Sequence, residues 1–319
     1  MDISVIVCTH NRSASLCKTL SSFLQAIPGR LSWELLVIDN DSTDDTRQVT
    51  RDFIAASKLN VRYVFEGKRG LSEARNRGIR EAQGEVLTFI DDDVHVSTNY
   101  LQEVKNAFDE LDPICVGGKV LLGESLPRPS WWDERCDGAV GKFDRGDSVI
   151  VGGRGDRELT GIGANMSFRR SVFEKYGPFR TDMGRKGAEL TTGEDAEMFQ
   201  RLRKQDERVI YYPRALVYHF PGQQRFSKPY LRRFYYRLGE WNFMRDLDLP
   251  ARTVMIFGVP RWRYRVVLAS LGRTGFHVIL GRRREAFWQE LNLRLSLGYF
   301  VAAWRKRPAN AGDPTLRAE

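Results

Sequence analysis

Short runs dominated by apolar and β-branched residues alternate with helical periodicity over the first part of the chain, about ninety residues. Ile3 to Cys8, Trp33 to Ile38, Val61 to Phe65 and Val86 to Ile90 read as strands, the last with the texture of a parallel strand covered on both faces. Between the first two, Leu16, Leu20, Phe23 and Leu24 recur at helical spacing behind Ser13, which has N-cap chemistry. The cluster Asn40, Asp41, Ser42, Thr43 and Asp44 supplies turn and cap chemistry for a second helix running to about Ala56. A third helix spans Ser72 to Gln83 behind a basic glycine turn at Gly67 to Gly70, with Gly84 as its C-terminal stop. Strands and helices that alternate with short connections imply right-handed crossovers and a doubly wound parallel sheet, an α/β fold.

Beyond Val94 the rhythm changes. Thr98 to Leu111 reads as an amphipathic helix and Ile114 to Leu122 as a strand. Residues 123–158 form a long irregular stretch rich in Gly, Pro and charge, with a Trp131–Trp132 pair; a connection of that length points to function or mobility. Gly161 to Phe168 reads as an edge strand and Arg170 to Tyr176 as a short helix. Gly193, Glu194 and Asp195 open another helix, with Met198, Phe199 and Leu202 on one face. Val209 to Tyr212 and Ala215 to His219 read as two short strands split by Pro213. From Gln223 the texture is helical, aromatic and basic, over Phe226 to Met244, Arg261 to Leu271 and Phe287 to Trp304, and Pro308 to Glu319 reads as a frayed end. Three segments result: 1–97, 98–222 and a C-terminal basic helical extension, 223–319.

Charge sharpens the last boundary. The net charge of +9 divides into 31 Lys/Arg against 34 Asp/Glu over residues 1–222, and 19 against 7 over 223–319. A slightly acidic body therefore carries a tail of net +12, suited to an anionic membrane surface, a partner, or nucleic acid. Arginines interleaved with aromatics occur in single-strand binding sites, but no nucleic-acid module is present, which makes nucleic acid the weakest of the three. The bland alternative is that these helices pack against the body, since arginine stems also cover apolar surface. The apolar stretches are broken by Arg273 and Arg294, so none reaches the roughly 18 residues that a spanning helix needs. Four cysteines without a CxxC spacing, with Cys8 in a strand and Cys17 in a helix, read as reduced core residues of a cytosolic protein. The start MDISVIVCTHNR lacks a basic n-region, so it reads as a first strand rather than a signal peptide, and a cytoplasmic location is expected.

The chemistry concentrates in Gly84 to Val94, GEVLTFIDDDV, where a buried strand runs into three aspartates. The carboxyl edge of a parallel sheet is where ligands bind. Three adjacent carboxylates repel one another unless a cation, a ligand hydroxyl or basic groups compensate. Hard oxygen donors favour Mg²⁺ or Mn²⁺ bridging to a phosphate. The bland alternative is a polar loop that caps the following helix. No GxGxxG follows the first strand and no GxxxxGK[ST] occurs, which weighs against dinucleotide and P-loop readings.

The series ISVIVCTHNR, ELLVIDNDSTDDT, GLSEARNRGIREAQGEVLTFIDDDV, GANMSFRRSVFEKYGPF, GEDAEMFQRLRKQ and ALVYH resembles a family 2 glycosyltransferase of the GT-A fold, in the family's order over about residues 2–220. The resemblance implies transfer from a nucleotide-sugar donor, commonly a UDP-sugar, to a hydroxyl of a glycan or lipid-linked acceptor, with inversion. It implies that Asp91 meets the ribose, that Asp93 holds the metal and His219 completes its shell, with Asp92 the less defined middle member. It further implies that Asp39 recognises base and ribose, that Thr9, Asn11 and Arg12 complete the nucleoside wall, and that Arg75 reaches base or diphosphate. Asp195 becomes the general base and Glu194 a substrate-orienting group. Some of these have a structural alternative: Asn11 as a turn cap, Arg75 as a solvated helix face, Glu194–Asp195 as helix caps and His219 as a core histidine. Trp131 and Trp132 can stack on an acceptor sugar or form a buried pair. A cytoplasmic enzyme held peripherally on a membrane would meet a lipid-linked acceptor there, and the tail has the composition of interfacial helices.

Two other classes remain to be weighed. TFIDDDV also fits the nucleophile strand of a haloacid dehalogenase-type phosphatase, with Asp91 as nucleophile and Asp93 as acid/base, but that strand normally comes first in the chain. A non-enzymatic membrane or assembly partner with a transferase fold would show damage at the aspartate positions, and none is damaged.

Overall fold

A computed structural model describes residues 1–27, 29–123, 128–152, 161–183, 193–246 and 253–305. The chain divides into two compact units, Met1–Pro127 with Val140–Gly222, and Arg128–Ala139 with Gln223–Glu319. The expected frayed end and parts of the 123–158 stretch lie outside the described residues.

The first unit opens with β1 (Ile3–Thr9), α1 (Ser13–Phe23), β2 (Trp33–Asp39), α2 (Thr46–Ala56), β3 (Val61–Phe65), α3 (Leu71–Glu81) and β4 (Val86–Asp91). It continues with β5 (Val94–Val96), α4 (Tyr100–Leu111), β6 (Cys115–Leu122), β7 (Ile150–Gly152), β8 (Asn165–Arg169), α5 (Arg170–Tyr176), α6 (Glu194–Lys204) and β9 (Val209–His219). The strands join in the order β3-β2-β1-β4-β8-β6-β9-β5, with β7 beside β9. The first four are mutually parallel, and β8 runs antiparallel to both β4 and β6. Alternate residues of each strand serve opposite layers: Val5 and Val7 pack with Leu16, Leu20 and Tyr100, while Ile6 packs with Ala74, Phe89 and Phe199.

Several expectations need correction. β8 is central rather than an edge, and Asn165 to Phe168 are buried because strands cover both of its sides. β9 is a single strand through Pro213: its pairing with β6 jumps from Gly118↔Tyr212 to Lys119↔Leu216, and the proline sits in that irregularity, where no ladder N–H is required. Ser13 begins α1 rather than capping it; its N–H donates to Asp44 Oδ2 at 2.9 Å. α3 ends at Glu81, three residues before Gly84. Cys17 is exposed on α1 rather than buried in the core, although all four cysteines are free thiols.

The second unit holds α7 (Lys228–Arg245), a hairpin of β10 (Met255–Ile256) and β11 (Val259–Pro260), α8 (Arg261–Ile279) and α9 (Arg283–Arg305). α8 runs past Leu271 through Gly272 and Gly275, further than propensity alone predicts. Arg232 on α7 forks onto Glu290 of α9 at 2.6 and 2.9 Å, and buried Arg263 on α8 pairs with Asp246 at 2.9 Å while its guanidinium lies 3.6 Å from the Tyr299 ring centre.

Candidate active site

Parallel pairing brings the ends of three strands to one edge, with Thr9 opposite Asp39 and Cys8 opposite Asp91. Asp91 is the outward member of the acidic triplet, its side chain 36% exposed, whereas Asp92 and Asp93 are buried. Thr9 Oγ1 donates to Asp92 Oδ2 at 2.7 Å, and Arg12 forks across both, at 2.8 Å to Asp92 and 2.7 Å to Asp93. Burial pushes the Asp92 carboxyl up to about 7, with the Arg12 charge opposing and neighbouring Asp93 adding. Asp92 therefore fixes the loop from inside, and Arg12, its side chain 32% exposed, supplies counter-charge to the acidic strand end.

His219 reaches this place because β9 pairs antiparallel with β5, setting His219 opposite Val94. Its Nε2 lies 3.0 Å from Asp93 Oδ1, and its Nδ1 is buried with no hydrogen-bond partner among the described residues. One ligand atom from each of Asp91, Asp93 and His219 falls within 4.8 Å of the others. Two carboxylates and an imidazole form a donor set suited to Mg²⁺ or Mn²⁺. Among the described residues, the carboxyls of Asp91, Asp92, Asp93, Glu194 and Asp195 lie around the Arg12 and Arg75 guanidinium groups.

Arg75 joins the two acidic clusters. It is 2% exposed, donates to Glu194 Oε1 at 2.8 Å, lies 3.8 Å from Asp91 Oδ1 and covers the Phe179 ring at 5.4 Å. Its alternative as a solvated helix face is thereby excluded. Burial, with Asp195 beside it, pushes the Glu194 carboxyl above its ordinary value, and Arg75 opposes this. Removing Arg75 as Arg75→Met strands that carboxylate, so stability should fall by about 3–5 kcal/mol, read as a lower denaturant midpoint; an unchanged midpoint would contradict the pairing.

Asp195, at the start of α6, accepts N–H bonds from Gly163 at 2.8 Å and Ala196 at 2.7 Å, so among the described residues its hydrogen bonds come from backbone. A Cβ at Gly163 would stand 2.3 Å from an Arg75 nitrogen, which is why glycine sits there. Asp39 is buried and accepts from Tyr63 Oη at 2.7 Å and Ser42 N–H at 2.9 Å; Tyr63 is pushed up to about 12 by burial and this carboxylate. Asn11, at φ 53°, accepts from Thr43 N–H at 2.7 Å, which is turn chemistry.

The tryptophan pair belongs to the second unit. Trp132 is buried, donates Nε1–H to Asp137 at 2.8 Å and packs 4.8 Å from Phe226; Trp131 stands edge-on to Phe287 at 5.4 Å. Trp132 is thus a core residue of that unit, whereas Trp131 is half-buried.

Sequence reasoning missed Tyr63, Gly163 and Gly141. Gly163 opens the recognisable GANMSF stretch without having been singled out there, but nothing in the sequence marks Gly141. At φ +94° it lies against His219, and a Cβ there would meet the ring at 2.5 Å. Gly141→Ala is expected to displace the imidazole and weaken Mn²⁺ binding by about 10–100-fold, as when a supporting contact around a ligand is lost; titration followed by electron paramagnetic resonance measures it, and an unchanged affinity would remove His219 from the ligand set.

A parallel sheet that turns antiparallel at its fifth position, with acidic groups gathered where the change occurs, is the arrangement of GT-A glycosyltransferases. The chain belongs to glycosyl transferase family 2, whose model matches residues 4–177. It is 29% identical over 223 residues to a glucosyl-dolichyl phosphate glucuronosyltransferase of Haloferax volcanii, covering 69% of each chain. It is 25% identical over 242 residues to the succinoglycan biosynthesis protein ExoM of Rhizobium meliloti, covering 75% of this chain and 74% of that one. In structure it is similar to the mannosyltransferase PcManGT of Pyrobaculum calidifontis, solved with GDP-Man and Mn²⁺, at TM-score 0.63 and 17% identity over 96% of this chain and 88% of that one. It is also similar to residues 1–349 of S. aureus TarS, solved with UDP-GlcNAc, at TM-score 0.56 and 15% identity over 94% and 92%. The phosphatase reading ends there, and the chain is a glycosyltransferase.

Proposed function

We propose that the protein is a metal-dependent, inverting glycosyltransferase that moves a sugar from a nucleoside-diphosphate donor, most naturally a UDP-sugar, to a hydroxyl of a lipid-linked or polysaccharide acceptor. The observation that carries this is the convergence of Asp91, Asp93 and His219 within 4.8 Å, tied through Arg75 to the Glu194–Asp195 helix start. A divalent cation held there would neutralise charge developing on the departing diphosphate. Asp39, held by Tyr63, accepts from the donor's nucleoside, and Asp91 from its ribose. Asp195 takes the proton from the attacking hydroxyl. Glu194 and Asp92 are already engaged, by Arg75 and by Thr9 with Arg12, so neither is placed to be a covalent nucleophile. One base candidate, with no nucleophile assigned among the described residues, supports a single displacement with inversion.

The relatives named for a dolichyl-phosphate-linked substrate and for succinoglycan support the acceptor class, and the neighbours solved with GDP-Man and UDP-GlcNAc support the donor class. No helix among the described residues is long and apolar enough to cross a membrane. We place the enzyme peripherally on the cytoplasmic face, where a lipid-linked acceptor is reached. The test is a panel of nucleotide sugars with and without Mn²⁺, read as nucleoside diphosphate release; turnover of one UDP-sugar that needs the metal supports the reading, and equal turnover in chelator refutes its metal dependence.

A further inference from the structure

α8 is packed inside out. Arg263, Val267, Ser270, Thr274 and His277 recur at three- and four-residue spacing and form its inward face, with Arg263 and Ser270 buried and the other three half-buried. On the opposite side Leu268, Phe276 and Ile279 stand open, at 69%, 56% and 85% exposure, with Trp262 and Leu271 exposed on the flanks. A helix whose outer face meets water does the reverse. The hairpin before it adds to the pattern. It is tied to the start of α8 by Arg261 N–H to Val254 O and Tyr264 Oη to Ile256 O, both 2.9 Å, and Val254, Met255 and Phe257 are exposed. Its two-residue turn needs positive φ at both positions; Phe257 at 48° fills one, where asparagine is favoured, and so presents an aromatic ring at the tip.

Charge selects the occupant. From Thr253 to Arg284 the chain has seven arginines and no carboxylate side chain. Arg261, Arg265 and Arg273 on α8, and Arg282 to Arg284 after it, are exposed around the apolar residues. A second copy would bring like charges together, whereas an anionic lipid surface offers acyl chains to the apolar groups and phosphates to the rim. We propose that α8 and the β10–β11 hairpin form a membrane-surface anchor, lying in the interface of an anionic leaflet rather than crossing it. The proposal does not depend on the donor or metal reading, and it gives the peripheral location a specific surface.

The experiment is co-sedimentation of the full chain with phosphatidylcholine vesicles, with and without phosphatidylglycerol, at low and high salt. The wild type should pellet with the anionic vesicles and be released by salt, since its contacts are screened over about 8 Å at physiological ionic strength. Leu268→Glu/Phe276→Glu/Ile279→Glu should bind at least about tenfold more weakly, with an unchanged thermal unfolding midpoint because all three side chains are exposed. Arg265→Gln/Arg273→Gln should bind less tightly and with a shallower salt dependence. A wild type that stays in the supernatant at low salt, or a triple variant that binds equally well, overturns the proposal. So does sedimentation velocity without lipid that shows a wild-type dimer broken to monomers by the triple variant, for then a second copy covers this surface.

Discussion

Asp195→Asn is expected to lower sugar transfer by about 10²–10⁴-fold while leaving nucleotide binding unchanged. Gly163 N–H donates to Oδ2 and Ala196 N–H to Oδ1, so the amide oxygen keeps one of these two bonds while the side chain keeps its shape. What is lost is the capacity to take a proton from the acceptor. Glu194 cannot substitute, because it is committed to Arg75 in a buried pair. Transfer near the wild-type rate in this variant would remove Asp195 from the role, and comparison of kcat with donor affinity separates a lost base from a lost binding contact.

The second large effect is expected at Asp93. Asp93→Ala removes the carboxylate that lies 3.0 Å from His219 Nε2 and 2.7 Å from Arg12. Metal charge stabilisation is worth several kcal/mol in such transfers, so activity should fall by about 10³-fold. Asp93→Asn separates charge from shape. It retains the contact geometry toward His219 and Arg12 but offers a neutral oxygen, and its activity should track the alanine variant. If Asp93→Asn transferred sugar at the wild-type rate, the carboxylate charge would have no part in the chemistry.

β1, β2 and β4 were legible because they are buried on both faces, which writes an apolar run into the sequence, whereas β3, at the sheet edge, buries only Val61 and Val64. Their positions at one edge followed from the alternation alone, and with them the candidates Asp39 and Asp91. The neighbours of β8 were not legible: a buried run says that a strand is covered, but it does not say which distant strands cover it. Pro213 misled for a related reason, since a proline reads as a break unless the partner's irregular pairing at Gly118 and Lys119 is known. At the site, residue types were readable and orientations were not. Asp92 turning inward to Thr9 and Arg12, and Arg75 lying buried between Asp91 and Glu194, depend on packing between segments more than a hundred residues apart in the case of Glu194. Gly141 carries no local signal at all, because its need arises from the His219 ring lying against it. The tail's basic and aromatic composition was plain, but the inversion of α8 appears only once its inward face is known.

The account rests on the acidic strand end acting as a cation site that is completed by the donor's phosphates. Calorimetric titration of UDP into the wild type, with Mn²⁺ and with chelator, alongside Asp93→Asn, tests this most directly. The account predicts tight binding only for the wild type with Mn²⁺, and binding that is weak and insensitive to metal in Asp93→Asn. Equal UDP affinity in Mn²⁺ and in chelator for the wild type would contradict it.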